Sequence, residues 1–263
     1  MGTMPVLPES PDPRFVLAKD NIRIATYEFG DPAGQPVVLV HGFASGALLN
    51  WHLAGWTRVL SRAGYRVLAI DQRGHGASGK PHTPDAYTMP LLVDDLLDVL
   101  DTFLIDEALF VGYSLGARVG WQACLDLPGR ITRAVLGGIP DGDPLTRFRV
   151  DEAWASIETG VPPTDKLTAA YVTMAGGIPG NDLPALISLV EGMRGGAQPD
   201  PENPPRQPVL FATGTEDSIL EKSRTLAESA PNGTFFEIPG RNHFNAPTSK
   251  DFRQAALAFL REG

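Results

Sequence analysis

One stretch, Phe110-Val111-Gly112-Tyr113-Ser114-Leu115-Gly116, restricts the possible folds of this chain more than any other. An apolar run from Ala108 to Val111 enters it, and an amphipathic segment from Ala117 to Leu127 leaves it. This is a strand turning sharply into a helix, and G-x-S-x-G at such a turn thrusts the serine hydroxyl out of the sheet. Two residues to either side of the serine, the backbone passes too close to its neighbours for side chains. Gly112 and Gly116 stand at those places. An ordinary turn between strand and helix uses the same residue types, so the pattern takes its weight from its surroundings.

Those surroundings alternate. Residues 14–30 switch between apolar and polar about Lys19-Asp20-Asn21, the pattern of an antiparallel hairpin. Pro36 to Val40 and Arg66 to Ile70 are continuous apolar runs, expected for strands covered on both faces. A helix is expected from Asn50 to Arg62 and a long amphipathic one over 87–104, with Leu92, Leu96, Val99, Leu100 and Phe103 on its apolar face. A strand over 131–139 follows the serine turn and its helix. The pattern resumes with a strand over 208–213, a helix near 218–229, a strand over 234–238 and a helix over 248–261. Strand and helix in alternation predict an α/β fold: a mostly parallel eight-stranded sheet with helices on both faces. Between 141 and 206 the alternation stops. Three short helices are expected there, near 149–159, 164–175 and 183–194, ending in the proline-rich AQPDPENPPRQP. The reading is a core from 1–140 and 207–263, with residues 1–13 a loose tail and a helical insertion at 141–206.

Composition narrows the function classes. The net charge is −9 with no basic cluster, which argues against a nucleic-acid partner. The single cysteine, Cys124, excludes an internal disulfide and reads as a buried thiol on the helix after Ser114. No secretory signal and no bilayer-long apolar stretch is present, so a cytoplasmic protein without a membrane partner is expected. No dinucleotide-binding glycines and no metal-ligand spacing occur, so neither cofactor nor metal is expected. The expected partner is a small-molecule substrate. Nothing in the sequence speaks to oligomeric state.

A serine hydroxyl needs a base to take its proton, and the base needs an orienting carboxylate. Of the five histidines, His243 lies in Gly240-Arg241-Asn242-His243-Phe244, between the last strand and the last helix. Loops at the carboxyl ends of parallel strands gather at one edge of the sheet, which is also where Ser114 emerges. His75 also follows a strand and competes with it, although RGHGAS reads as a tight turn. Asp217 and Glu216 follow the strand PVLFAT and are candidates for the acid; Asp141 and Asp143, after the strand ending at 139, are others. Asp217 is also placed to cap the next helix. A tetrahedral intermediate needs two backbone donors. The N–H of Leu115 at a helix start and the N–H of Phe43 after His41-Gly42 are the candidates.

The segments VVLVHGF, RVLAIDQRGHGASGKP, ALFVGYSLGARVG, PVLFATGTED and GRNHF stand in an order that resembles the capped, HGF-type branch of the α/β-hydrolase superfamily. The resemblance implies Ser114 as nucleophile, Asp217 as acid, His243 as base, and Phe43 and Leu115 as the oxyanion hole. It also implies that 141–206 is a cap and that no organic cofactor is used. Tyr113, Tyr171, Met174 and Phe244 are expected in the substrate pocket. The implied activity is hydrolysis of small carboxylic esters through an acyl-enzyme, with lactones, thioesters and amides open. Carbon–carbon bond hydrolysis or perhydrolysis by the same triad is an alternative, as is a non-catalytic receptor for a small ligand. Epoxide hydrolysis and dehalogenation are not expected, because those branches carry aspartate where this chain has Ser114.

Overall fold

The computed structural model describes residues 10–142 and 145–262. The first nine residues of the expected tail, and Asp143 among the candidate acids, lie outside them. β1 (Arg14–Leu17) and β2 (Arg23–Gly30) form the expected antiparallel hairpin, turning through Asn21 at φ +67°. There follow β3 (Pro36–Val40), α1 (Trp56–Arg62), β4 (Arg66–Ile70), α2 (Met89–Thr102), β5 (Ala108–Tyr113), α3 (Leu115–Asp126) and β6 (Ile131–Gly137). The insertion holds α4 (Val150–Thr159), α5 (Lys166–Gly177) and α6 (Leu183–Gly192). The chain then closes with β7 (Val209–Gly214), α7 (Leu220–Ser229), β8 (Gly233–Ile238) and α8 (Lys250–Leu260). The sheet order is β1-β2-β4-β3-β5-β6-β7-β8, parallel from β4 onward.

The uninterrupted apolar runs are explained by two cores. Val37 and Leu39 of β3 enter one cluster with Trp51, Trp56, Phe252 and Phe259. Val38 and Val40 enter the other with side chains of α2 and α3. Successive strand residues point to opposite faces, and both faces are covered, so no position is left for a polar residue.

The helix expected from Asn50 to Arg62 is instead two pieces. A π-helical turn, Leu48–Leu53, is separated from α1 by Gly55 at φ +83°. Trp51 and Trp56 explain the break. Five residues apart on one α-helix, their side chains would diverge by about 140°. Here both are fully buried, with rings 5.3 Å apart edge to face, and Trp56 Nε1 donates to the Pro247 carbonyl at 2.7 Å.

The three helices of the insertion lie close to their expected positions. Ala185 and Leu189 of α6, with Met193 just after it, join the main core, while Ala175 of α5 and Leu186 of α6 pack on Ala44, in the loop after β3. The insertion therefore rests on the edge of the sheet where the parallel strands end. Among the described residues no helix is long and apolar enough to cross a membrane.

Candidate active site

The turn after β5 has the strain its sequence implies. Ser114 adopts φ +53° and ψ −113°, a conformation that costs an L-residue energy and persists only where its surroundings enforce it. A Cβ on Gly116 would collide with the Val40 carbonyl, and one on Gly112 with the Gly116 carbonyl. Gly116→Ala is therefore expected to destabilise the fold by roughly 3 kcal/mol or more, since backbone cannot yield as a side chain can. Gly177→Ala, with open space around it, serves as the control. A thermal midpoint for Gly116→Ala equal to that of the control would contradict this account of the turn.

Three chain segments meet above this serine. His243 Nε2 lies 3.0 Å from Ser114 Oγ, and His243 Nδ1 lies 2.8 Å from Asp217 Oδ2. The carboxylate makes Nδ1 the protonated nitrogen and leaves Nε2 free to accept. Asp217 is buried, and its other oxygen accepts the Ile219 N–H at 3.2 Å, so each oxygen has its own task at the turn into α7. Glu216 is exposed, and Asp141 pairs with Lys222 at 3.0 Å. Of the candidate acids among the described residues, Asp217 is the one hydrogen-bonded to His243.

His243 is held from below. The Tyr113 hydroxyl donates to the His243 carbonyl at 2.6 Å, and the two rings lie 5.4 Å apart. Asn242 Oδ1 accepts the N–H groups of Phe244 and Asn245, closing the loop. Tyr113, which the sequence places in the pocket wall, is instead buried beneath the histidine, because its hydroxyl finds a carbonyl there. Phe244 is exposed beside the histidine, ring edge to face at 5.9 Å.

On the other side of Ser114 lies the loop after β3. Gly42 is packed so closely that a Cβ there would sit 3.3 Å from the serine Cβ. The N–H groups of Phe43 and Leu115 donate to no other group among the described residues. Unpaired donors beside a strained serine, one of them at the start of α3, suit a developing oxyanion. The Phe43 ring is wedged between His75 and Tyr171, edge to face with each at 6.1 and 5.9 Å. Met174 packs, as Phe43 does, against the small cluster of Ala44, Ala175 and Leu186.

His75, the competing base, is fully buried and committed elsewhere. Its Nδ1 donates to the Arg73 carbonyl at 3.1 Å, and its Nε2 accepts the Ala44 N–H at 3.0 Å. His41 is held likewise, donating to the Gly42 carbonyl at 2.7 Å and accepting the Gln72 N–H at 3.1 Å. Burial pushes both imidazoles below their ordinary range, His75 well below it, so both are neutral supports near pH 7. Asp71 completes the scaffold, accepting the Ala47 N–H at 2.7 Å and the Ala77 N–H at 2.8 Å. Asp71 is not among the residues that the sequence marks as functional. The Asp71 carboxylate directly after a buried strand was the one available signal. Among the described residues no group of three or more His, Cys, Asp or Glu side chains is arranged to hold a metal ion.

This sheet order, with a strained serine after the central strand and a histidine and carboxylate after later ones, has counterparts. Residues 35–164 match the family model described as alpha/beta hydrolase fold. The chain belongs to the α/β-hydrolase superfamily.

Within that superfamily it is 36% identical over 121 residues to Epoxide hydrolase A of Mycobacterium tuberculosis, a match covering 46% of this chain and 37% of that protein. It is 33% identical over 114 residues to AB hydrolase superfamily protein YfhM of Bacillus subtilis, covering 42% and 38%. The chain spans well under half the length of these curated relatives. Among solved α/β-hydrolase structures, the enol-lactonase from Burkholderia xenovorans LB400 superposes with a TM-score of 0.77 at 22% identity, over 94% of this chain and all of that one. A hydrolase from Pseudomonas aeruginosa superposes with a TM-score of 0.75 at 22% identity, over 96% of this chain and 99% of that one.

Proposed function

We propose that this α/β-hydrolase cleaves small carboxylic esters, cyclic ones included, through an acyl-enzyme on Ser114. The observation that carries this reading is the hydrogen-bonded relay from Ser114 Oγ through His243 to Asp217. In the first half-reaction His243 Nε2 takes the serine proton as Oγ attacks the carbonyl. The oxyanion forms toward the N–H groups of Phe43 and Leu115, and His243 returns the proton to the leaving alcohol. In the second, His243 takes a proton from water as the water oxygen attacks the acyl-serine, then returns it to Ser114 Oγ as the acyl–Oγ bond breaks and the carboxylic acid leaves.

Epoxide hydrolysis, named for several curated relatives, fits the serine poorly. A carboxylate attacking an epoxide yields an ester, which water can cleave. A serine would yield an ether, which has no carbonyl to pass through a tetrahedral intermediate and would end the cycle after one turnover. The test is a fluorophosphonate label on Ser114 together with turnover across a panel of p-nitrophenyl esters, lactones, thioesters and epoxides. No label and no ester or lactone turnover would overturn the reading and favour a ligand receptor on this fold.

The inserted helices serve here as a cap and supply the pocket wall. Tyr171 meets the Phe43 ring, Met174 packs on the cluster that Phe43 also covers, and burial together with the Asp217 charge raises the Tyr171 phenol. Tyr171→Ala and Met174→Ala are expected to change kcat/KM by about tenfold for some acyl lengths and little for others, since a pocket contact discriminates between substrates. The measurement is kcat/KM from acetyl to octanoyl esters, with folded fraction checked by thermal melting. Losses equal for every ester and matched by lost folded protein would place both residues away from the substrate.

A further inference from the structure

Ala44 sits at a crossing point. It follows the oxyanion donor Phe43, it is completely buried, and its φ is +55°, in the left-handed region that alanine avoids. Each peptide group flanking its Cα is gripped from a different side. Below, its N–H donates to His75 Nε2 at 3.0 Å. Above, its carbonyl accepts Asn181 Nδ2 at 2.9 Å, and the same amide donates to the Ala175 carbonyl of α5 at 3.0 Å. The segment carrying Asn181 is itself tied down: the next residue, Asp182, caps α6 through the Ala185 N–H and pairs with His82 at 3.0 Å.

We propose that Asn181 and His75 are positioning residues for the oxyanion hole, holding Ala44 in its strained turn so that the Phe43 N–H faces the serine only while the inserted helices are docked. This rests on the serine-hydrolase reading above. Asn181 is not hydrogen-bonded to Ser114 or His243 and acts through Ala44. Without its amide the buried Ala44 carbonyl loses a donor, and the alanine relaxes toward φ below zero, turning the Phe43 peptide with it. The Phe43 ring, packed against Tyr171, links the same loop to α5 a second time. A displaced insertion thus leaves the triad intact and the oxyanion unsupported.

The test uses the full chain, with p-nitrophenyl acetate as substrate and a short alkyl boronic acid as tetrahedral analogue on Ser114. Asn181→Ala is expected to lower kcat on the order of tenfold, less than the 10²–10³ of deleting an oxyanion donor outright. KM should stay within about twofold, and boronic acid affinity should fall by the same factor as kcat/KM. Adding Ala44→Gly to Asn181→Ala should recover most of kcat, because glycine holds the left-handed turn unaided. A packing role predicts the opposite, since glycine removes a further buried methyl. His75→Phe keeps a ring against Phe43 and removes the acceptor; it should show the same signature and serves if Asn181→Ala does not fold. Wild-type ester turnover with kcat and boronic acid affinity unchanged in these variants overturns the proposal, whatever happens to thermal stability. A wild type that neither labels nor turns over esters removes the underlying reading and the proposal with it.

Discussion

Ser114→Ala lowers kcat for a short-chain ester by roughly 10³-fold or more, and it abolishes fluorophosphonate labelling. The alanine removes the attacking oxygen and nothing else of the site: Phe43 and Leu115 keep their N–H groups, and His243 keeps its bond to Asp217. What survives is oxyanion stabilisation without covalent catalysis, a residual rate well above that of water alone. Because binding is untouched, the loss falls on kcat and leaves KM nearly unchanged. The backbone conformation at this position suits neither serine nor alanine, so the variant should melt close to the wild type. Steady-state kinetics on protein freed of contaminating esterases reads the result. Turnover within tenfold of the wild type would end the proposal that Ser114 is the nucleophile.

Asp217→Asn is expected to cost kcat about 10³- to 10⁴-fold, on the order of 4–5.5 kcal/mol of transition-state stabilisation. An asparagine amide can turn its NH₂ toward His243 Nδ1, which then accepts and leaves Nε2 protonated. A protonated Nε2 cannot take the serine proton. Glu216→Gln, Asp141→Asn and Asp143→Asn should each stay within about twofold of the wild type. Glu216 is exposed and Asp141 is engaged with Lys222. The four kcat values, measured side by side, decide the matter. A large loss in Asp141→Asn with Asp217→Asn unaffected would move the acid to the end of β6.

Much of this arrangement is legible before any coordinates. The strand, turn and helix around Ser114 are local, and local patterns survive into structure. The same holds for the two-faced strands, whose apolar runs reflect burial on both sides, and for the placing of Ser114, Asp217 and His243 after β5, β7 and β8. What escapes is whatever depends on a distant partner. No pattern near Ala44 announces a left-handed alanine, because the groups that force it, His75 and Asn181, lie 31 and 137 residues away. His75 reads as part of a turn because its work is done across that gap. Tyr113 stands beside the nucleophile in sequence and was expected to meet substrate, yet its hydroxyl answers to a carbonyl 130 residues on. The split of the helix at Gly55 follows from Trp51 and Trp56 having to enter the same core, a demand that apolar spacing alone does not express.

The order of the strands has a consequence for biosynthesis. β7 and β8, which Asp217 and His243 follow, come last among the strands and pair at one border of the sheet, while the strained turn at Ser114 and the loop after β3 belong to strands made much earlier. A ribosome emitting this chain exposes Ser114 about a hundred residues before Asp217 exists. Throughout that interval the hydroxyl is no more reactive than any other serine. On the proposed mechanism, reactivity arrives only when the last two strands dock, so the nascent protein would not attack esters around it, or acylate itself, until its sheet is whole.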